Sequence, residues 1–135
     1  MMIIYFSDAK NEAARRLLKE IQAKFSGHQI EIMPTIKALW ERFRQPLIEL
    51  AILILAPQNR SQLKELIQMS DLINDHPILL VLPDRDLRTV SMGHKLYPRF
   101  VSYLDGDVLS LLAVLTRMVE NVGNSERRRQ IQGYQ

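Results

Sequence analysis

The sequence contains no cysteine, which excludes a disulfide scaffold, a thiolate zinc site, a cysteine nucleophile and CxxC redox chemistry. Glycine and proline are sparse, five and six residues in 135, so collagen-like and low-complexity chains are excluded as well. The glycines are isolated from one another, and neither a GxGxxG turn nor a Walker-type phosphate loop can be built from them. HExxH and GxSxG are also missing, which removes the common hydrolytic signatures. The longest apolar runs, Leu50 to Pro57 and Pro77 to Pro83, fall far short of the ~18 residues of a membrane span. Met1 to Phe6 is followed at once by Ser7, Asp8 and Lys10, without the basic leader and long apolar centre of a signal peptide. A cytoplasmic protein with no membrane contact is expected.

Excess charge is scarce too. Lys and Arg number 18 against 15 Asp and Glu, a net +3, of which Arg127, Arg128 and Arg129 against Glu126 supply +2. Nucleic-acid binders draw most of their affinity from clustered cations on phosphates. Here the basic residues of the body are interleaved with acids, so nucleic acid is not the expected partner. What the chain does hold is 47% hydrophobic residues, enough for one packed domain of ~100–150 residues.

Apolar runs alternate with helical stripes from end to end. Met1–Phe6 reads as a buried strand, and Asn11–Phe25 places Ala14, Leu17, Leu18, Ile21 and Phe25 on one helical face. Gln29–Met33 alternates as an edge strand does, and Pro34-Thr35 opens a helix with Ile36, Leu39, Trp40 and Phe43 inward. Leu50–Ala56 and Ile78–Leu82 are apolar on both faces, the mark of central parallel strands. Between them Ser61 is the expected cap of a helix. Asp84 to Pro98 has no clean stripe and is interrupted by Gly93, which predicts a short or irregular helix. Phe100–Leu104 is the fifth strand. The long helix that follows Gly106-Asp107 is expected to stop at Gly123, with residues 124–135 either a basic polar tail or a continuation of it.

Five strands alternating with helices predict an α/β domain over residues 1–123. The sheet would be doubly wound and parallel, in the order 2-1-3-4-5, within a three-layer flavodoxin-like sandwich. In such sheets a site forms beyond the carboxyl ends of the strands. Asp8, Asn59, Asp84 and Asp105 collect there, which supports one functional reading, a small-ligand or cation binder, an enzyme included. Each acid also suits a local cap or turn. His28 and His76 fall at the opposite edge, and His94 lies in the poorly patterned segment without an acid placed beside it.

The order and length of the elements, Asp8 after the first strand, Pro57 after the third, and the Pro77-led fourth strand resemble the receiver (CheY-like) domains of two-component response regulators. The resemblance covers Met1 to Val122. It implies a metal held by two acids after the first strand, a phosphoryl group on an Asp ending the third, and a Ser or Thr and a Lys after the fourth and fifth. Here the acid pair reads Ser7-Asp8. Counting back from Pro57 puts Leu53 at the phosphoacceptor position, a two-residue shift finds only Leu55 or Ala56, and Leu82 and Tyr103 or Leu104 stand at the two others. Hydrocarbon cannot supply the anionic nucleophile or the cation that phosphoryl transfer needs. A lone Asp8 is a poor Mg²⁺ site. The implied function is therefore a non-catalytic pseudo-receiver, without cofactor or metal, that binds a protein partner or a second copy of itself. The apolar arc of the last helix, about 220° wide on a helical wheel, exceeds what docking on a sheet requires. Tyr97, Tyr103, Leu109 and Val114 are its candidate contact residues.

Overall fold

The structure, a computed structural model, describes residues 2–8, 10–45, 47 and 50–132, those from 125 onward by backbone alone. Its strands are β1 (Met2–Ser7), β2 (Gln29–Met33), β3 (Ala51–Ala56), β4 (Ile78–Leu82) and β5 (Phe100–Tyr103). They form one parallel sheet in the order β2-β1-β3-β4-β5, as the run patterns predict. Every residue of β1, β3 and β4 is buried, whereas β2 is half exposed. Two-sided hydrocarbon forces the first three inward, and alternation leaves the fourth at the rim.

Helices α1 (Glu12–Lys24), α2 (Ile36–Phe43), α3 (Arg60–Gln68), α4 (Ser70–Ile73), α5 (Leu87–His94) and α6 (Val108–Gln132) cover the two faces. Ile4, Phe6, Leu53, Leu55, Leu80 and Leu82 pack with α2 to α5, and Ile3, Tyr5, Ile52, Ile54, Leu79 and Val81 pack with α1 and α6. The period-two alternation of side chains thus divides one apolar run between two cores. Each fully buried Leu or Ile contributes about 1.5–3 kcal/mol, which makes the three central strands the most costly part of the fold to alter.

Local chemistry sets the helix starts. Asn11, Thr35, Asn59 and Asp86 accept from the backbone N–H of Ala14, Ala38, Gln62 and Arg88, satisfying donors that the first turn cannot. Asp107 does the same for Leu109 and accepts from the Ser110 hydroxyl.

Three expectations are corrected and one is met. The cap of α3 is Asn59, two residues before Ser61, because its side chain reaches the Gln62 N–H at 2.9 Å. Trp40 is not a core residue: it is 43% exposed, and the Arg44 guanidinium lies 4.8 Å from its ring. The Asp84–Pro98 segment forms the short helix expected, the eight-residue α5, with Gly93 inside its last turn. A Cβ there would sit 2.9 Å from Leu80 Cδ2, so the missing side chain lets the helix approach the sheet closely. Gly123 is not a stop, since α6 passes through it to Gln132. The backbone therefore continues as helix across residues 123 and 124. Tyr134 and the Ile131 side chain lie outside the described residues.

Candidate functional site

Parallel pairing fixes what stands at the carboxyl edge. Ser7 ends β1 and is paired with Ala56, the end of β3. Leu53 is paired with Ile4 and Ile78, three residues deeper, and is fully buried against the α2–α5 layer. β3 runs on from Leu53 to Ala56, directly before Pro57, so the strand ends on Ala56. The mouth of the central strand is Ala56-Pro57, both buried, and it carries hydrocarbon just as Leu53 does.

Leu82, ending β4, is fully buried and paired with Tyr103, the end of β5. The half-buried Tyr103 ring lies beneath the Arg85 guanidinium, 4.1 Å from its centroid. Arg85 Nη2 also donates to Asp105 Oδ1 at 3.1 Å. A cation therefore does stand at this edge, but it comes from the loop before α5, not from the end of β5. Sequence reading missed it because nothing in the Pro83-Asp84-Arg85-Asp86 run signals which way the side chain turns.

The acids grouped at this edge are engaged separately. Asp8 Oδ1 accepts from the Lys10 N–H at 2.9 Å, and Asp84 Oδ1 from the Asp86 N–H at 2.9 Å. The Asp84 carboxyl is held below the usual range, first by the Thr89 hydroxyl and then by the Asp86 N–H, against desolvation, with a lesser attraction from Arg60. Thr89 is fully buried, and its Oγ1 faces Asp84 without closing a hydrogen bond of ordinary geometry. Asn59 is used as a cap and Asp105 is paired with Arg85. Among the described residues no three histidine or carboxylate side chains converge as a cation site.

The histidines occupy separate places. His28 lies against Phe25, ring centroids 6.0 Å apart, and His94 is exposed in the last turn of α5. His76 Nδ1 accepts from the Ala51 N–H at 3.1 Å, and its ring meets Phe43 edge-on at 5.4 Å. Burial lowers its pKa, against the opposing pull of Asp75.

The candidate contact residues separate into two groups. Tyr97 and Leu109 are 86% and 76% exposed, and Leu87, which sequence reading overlooked, is 82% exposed. Val114 is half-buried in the α1–α6 layer, and Tyr103 is covered by Arg85. Tyr97 precedes β5 and Leu109 follows it, so a four-residue strand, about 10 Å long at ~3.3 Å per residue, separates them. Tyr97 also has φ of 50°, a left-handed backbone that a bulky side chain adopts only at a cost.

Solved structures share this architecture. The signal receiver domain of an HD domain-containing protein from Pseudomonas fluorescens Pf-5 is 16% identical and superposes with a TM-score of 0.68 over 95% of this chain and 92% of its own. A CheY-like response regulator receiver domain protein from Methanospirillum hungatei JF-1 is 13% identical, with a TM-score of 0.66 over 92% and 97%. A response regulator protein from Burkholderia pseudomallei, solved with a phosphorylated aspartic acid, calcium ion and citrate, is 16% identical, with a TM-score of 0.62 over 92% of this chain and 72% of its own. No protein family and no curated protein matches the sequence. The fold is that of response regulator receiver domains.

Proposed function

We propose that this receiver fold serves as a signalling module that takes no phosphoryl group at the end of its third strand and acts, without catalysis, by binding protein. One observation carries the reading: the mouth of the sheet is built from Ser7, Ala56, Pro57, Leu82 and Tyr103. A carboxylate nucleophile is missing from β3, and Asp8, the acid that follows β1, has one oxygen on the Lys10 N–H. Phosphoryl transfer needs an anionic acceptor with cations and a metal around the equatorial oxygens, and hydrocarbon offers neither. Arg85 does not substitute, since it is stacked on Tyr103 and paired with Asp105.

The test is intact-mass measurement after incubation with Mg²⁺ and acetyl phosphate. The mass is expected to stay unchanged, and an adduct of about 80 Da on an aspartate contradicts the proposal.

Contact with protein is supported by Leu87, Tyr97 and Leu109, three large apolar side chains that are at least three-quarters exposed around α5, β5 and the start of α6. Such exposure on an otherwise well-covered domain marks an interaction surface. A second copy of the chain is the partner to test first, by sedimentation of the wild type against Tyr97→Glu and Leu109→Glu. Dissociation of a dimer by either change supports self-association; a monomer in all three directs the contact to another protein. The cation-binding alternative is the weaker reading, because Asp8, Asn59, Asp84 and Asp105 each hold a local partner.

A further inference from the structure

A cleft of about 450 Å³ opens between the first half of α1 and the start of α6, beside the end of β5. Tyr103 and Leu109 also line it, so it adjoins the end of β5 and the contact face, but Ser7, Ala56, Pro57, Tyr97 and Leu87 are not among its lining residues and its use does not depend on phosphoryl chemistry. Its volume falls in the ~300–1,000 Å³ range of small-molecule sites. The walls are hydrocarbon from Ala13, Leu17, Val108 and Leu111. Ser102 also lines it, and is only 9% exposed. The Ser102 hydroxyl forms no hydrogen bond among the described residues and is open to solvent from the cleft, since Thr89 Oγ1 is the one described side-chain oxygen both sealed and unpartnered. Gly106 keeps that hydroxyl open, because a Cβ at Gly106 would stand 3.4 Å from Ser102 Oγ and 3.0 Å from the Tyr103 carbonyl.

The charges of the lining are unequal. Glu20, Asp105 and Asp107 face one cation, Arg16, which is already shared with Glu12 at 3.8 Å. Arg85 offsets Asp105, and the capping bonds of Asp107 leave its negative charge in place. Glu20 forms no ion pair among the described residues. The cleft therefore offers an apolar slot, one unpartnered hydroxyl and a net negative border.

We propose that it binds a small amphipathic amine, an apolar or aromatic body with a hydrogen-bonding group for Ser102 and a protonated nitrogen for the acidic border. A carboxylate of the same shape meets like charge there and is rejected.

Tryptamine and indole-3-propionate form a matched pair of probes, since both carry an indole N–H and differ in the sign of the chain-end charge. Amide shifts of the ¹⁵N-labelled chain are followed during titration. Tryptamine is expected to shift Ser102, Gly106 and Leu111 in a saturable way, and indole-3-propionate to bind about tenfold more weakly or not at all, a difference of ~1.4 kcal/mol. Glu20→Gln and Ser102→Ala should each weaken tryptamine about threefold, and Ala13→Phe, which fills the slot from a half-buried position, should abolish binding. Equal binding of the two probes, shifts centred elsewhere, or no shift at millimolar tryptamine overturns the proposal. Each variant is checked for a native spectrum first, and the wild-type comparison decides the question if one misfolds.

Discussion

The Tyr5 hydroxyl donates a 2.7 Å hydrogen bond to the Ala14 carbonyl, joining the centre of β1 to the first turns of α1 from inside the core. Burial pushes the Tyr5 pKa up to about 12, with the Ser7 side chain pulling the other way. A raised folded-state pKa means that the stabilisation is complete below the ordinary value of ~10 and is lost as the pH rises from there through the folded value. Absorbance titration should show Tyr5 ionising last among the four tyrosines, together with unfolding. Tyr5→Phe should cost about 1 kcal/mol at neutral pH and remove the delayed step. A single transition near 10 for all tyrosines contradicts this.

His76 predicts a change at the acidic end. Its Nδ1 must be unprotonated to accept from Ala51, and its pKa is lowered, chiefly by burial. A depressed folded-state value gives stability that is present above the ordinary ~6.5 and lost as the pH falls through the folded value. Thermal midpoints of the wild type should therefore drop as the pH falls below that point. His76→Asn, whose amide oxygen can accept the same bond without titrating, should flatten the drop, and an unchanged slope removes His76 as its source.

Tyr97 holds a left-handed backbone at φ 50° with its side chain in solvent. Tyr97→Gly should raise stability by about 1 kcal/mol, since glycine adopts that conformation without the Cβ penalty. If the ring is a contact residue, the same variant should lose partner or self-association while gaining in melting temperature. Destabilisation by glycine contradicts the backbone account.

Two glycines in helices should respond with opposite signs. Gly123→Ala, with nothing within 4 Å of the new Cβ, should stabilise by up to ~1 kcal/mol through helix propensity. Gly93→Ala meets Leu80 Cδ2 at 2.9 Å and Leu82 Cδ2 at 3.3 Å, both on fully buried side chains, and should destabilise by about 1–3 kcal/mol. Denaturant melts of the two variants provide the check, and equal signs contradict the packing account.

The architecture was legible because strand burial is written in composition. AILILA and ILLVL have no polar side chain to turn outward, and MIIYFS has only the Tyr5 hydroxyl and its terminal Ser7, whereas QIEIM has Gln29 and Glu31. Positions that depend on tertiary approach were not legible. Gly93 reads as a breaker until Leu80 is seen beneath it, and Trp40 shares the spacing of Leu39 and Phe43 yet lies just outside the covered arc. At the candidate site, the absence of an acid on β3 could be read directly, since no acid stands between Glu49 and Glu65. Which residue closes the strand, Ala56, required the pairing of β3 with β1. Arg85 over Tyr103 and the open hydroxyl of Ser102 arise from loop geometry and from the gap between two helices, neither of which has a periodic signature.

The most direct test of the central claim is a titration with Mg²⁺ and beryllofluoride, a phosphoryl mimic that needs an aspartate and a metal to bind. The amides of Ser7, Asp8, Ala56 and Tyr103 are monitored by NMR. The account predicts no saturable shift at any of them, because the end of β3 offers only the Ala56 methyl group. A saturable change centred on Asp8 and Ala56 contradicts it.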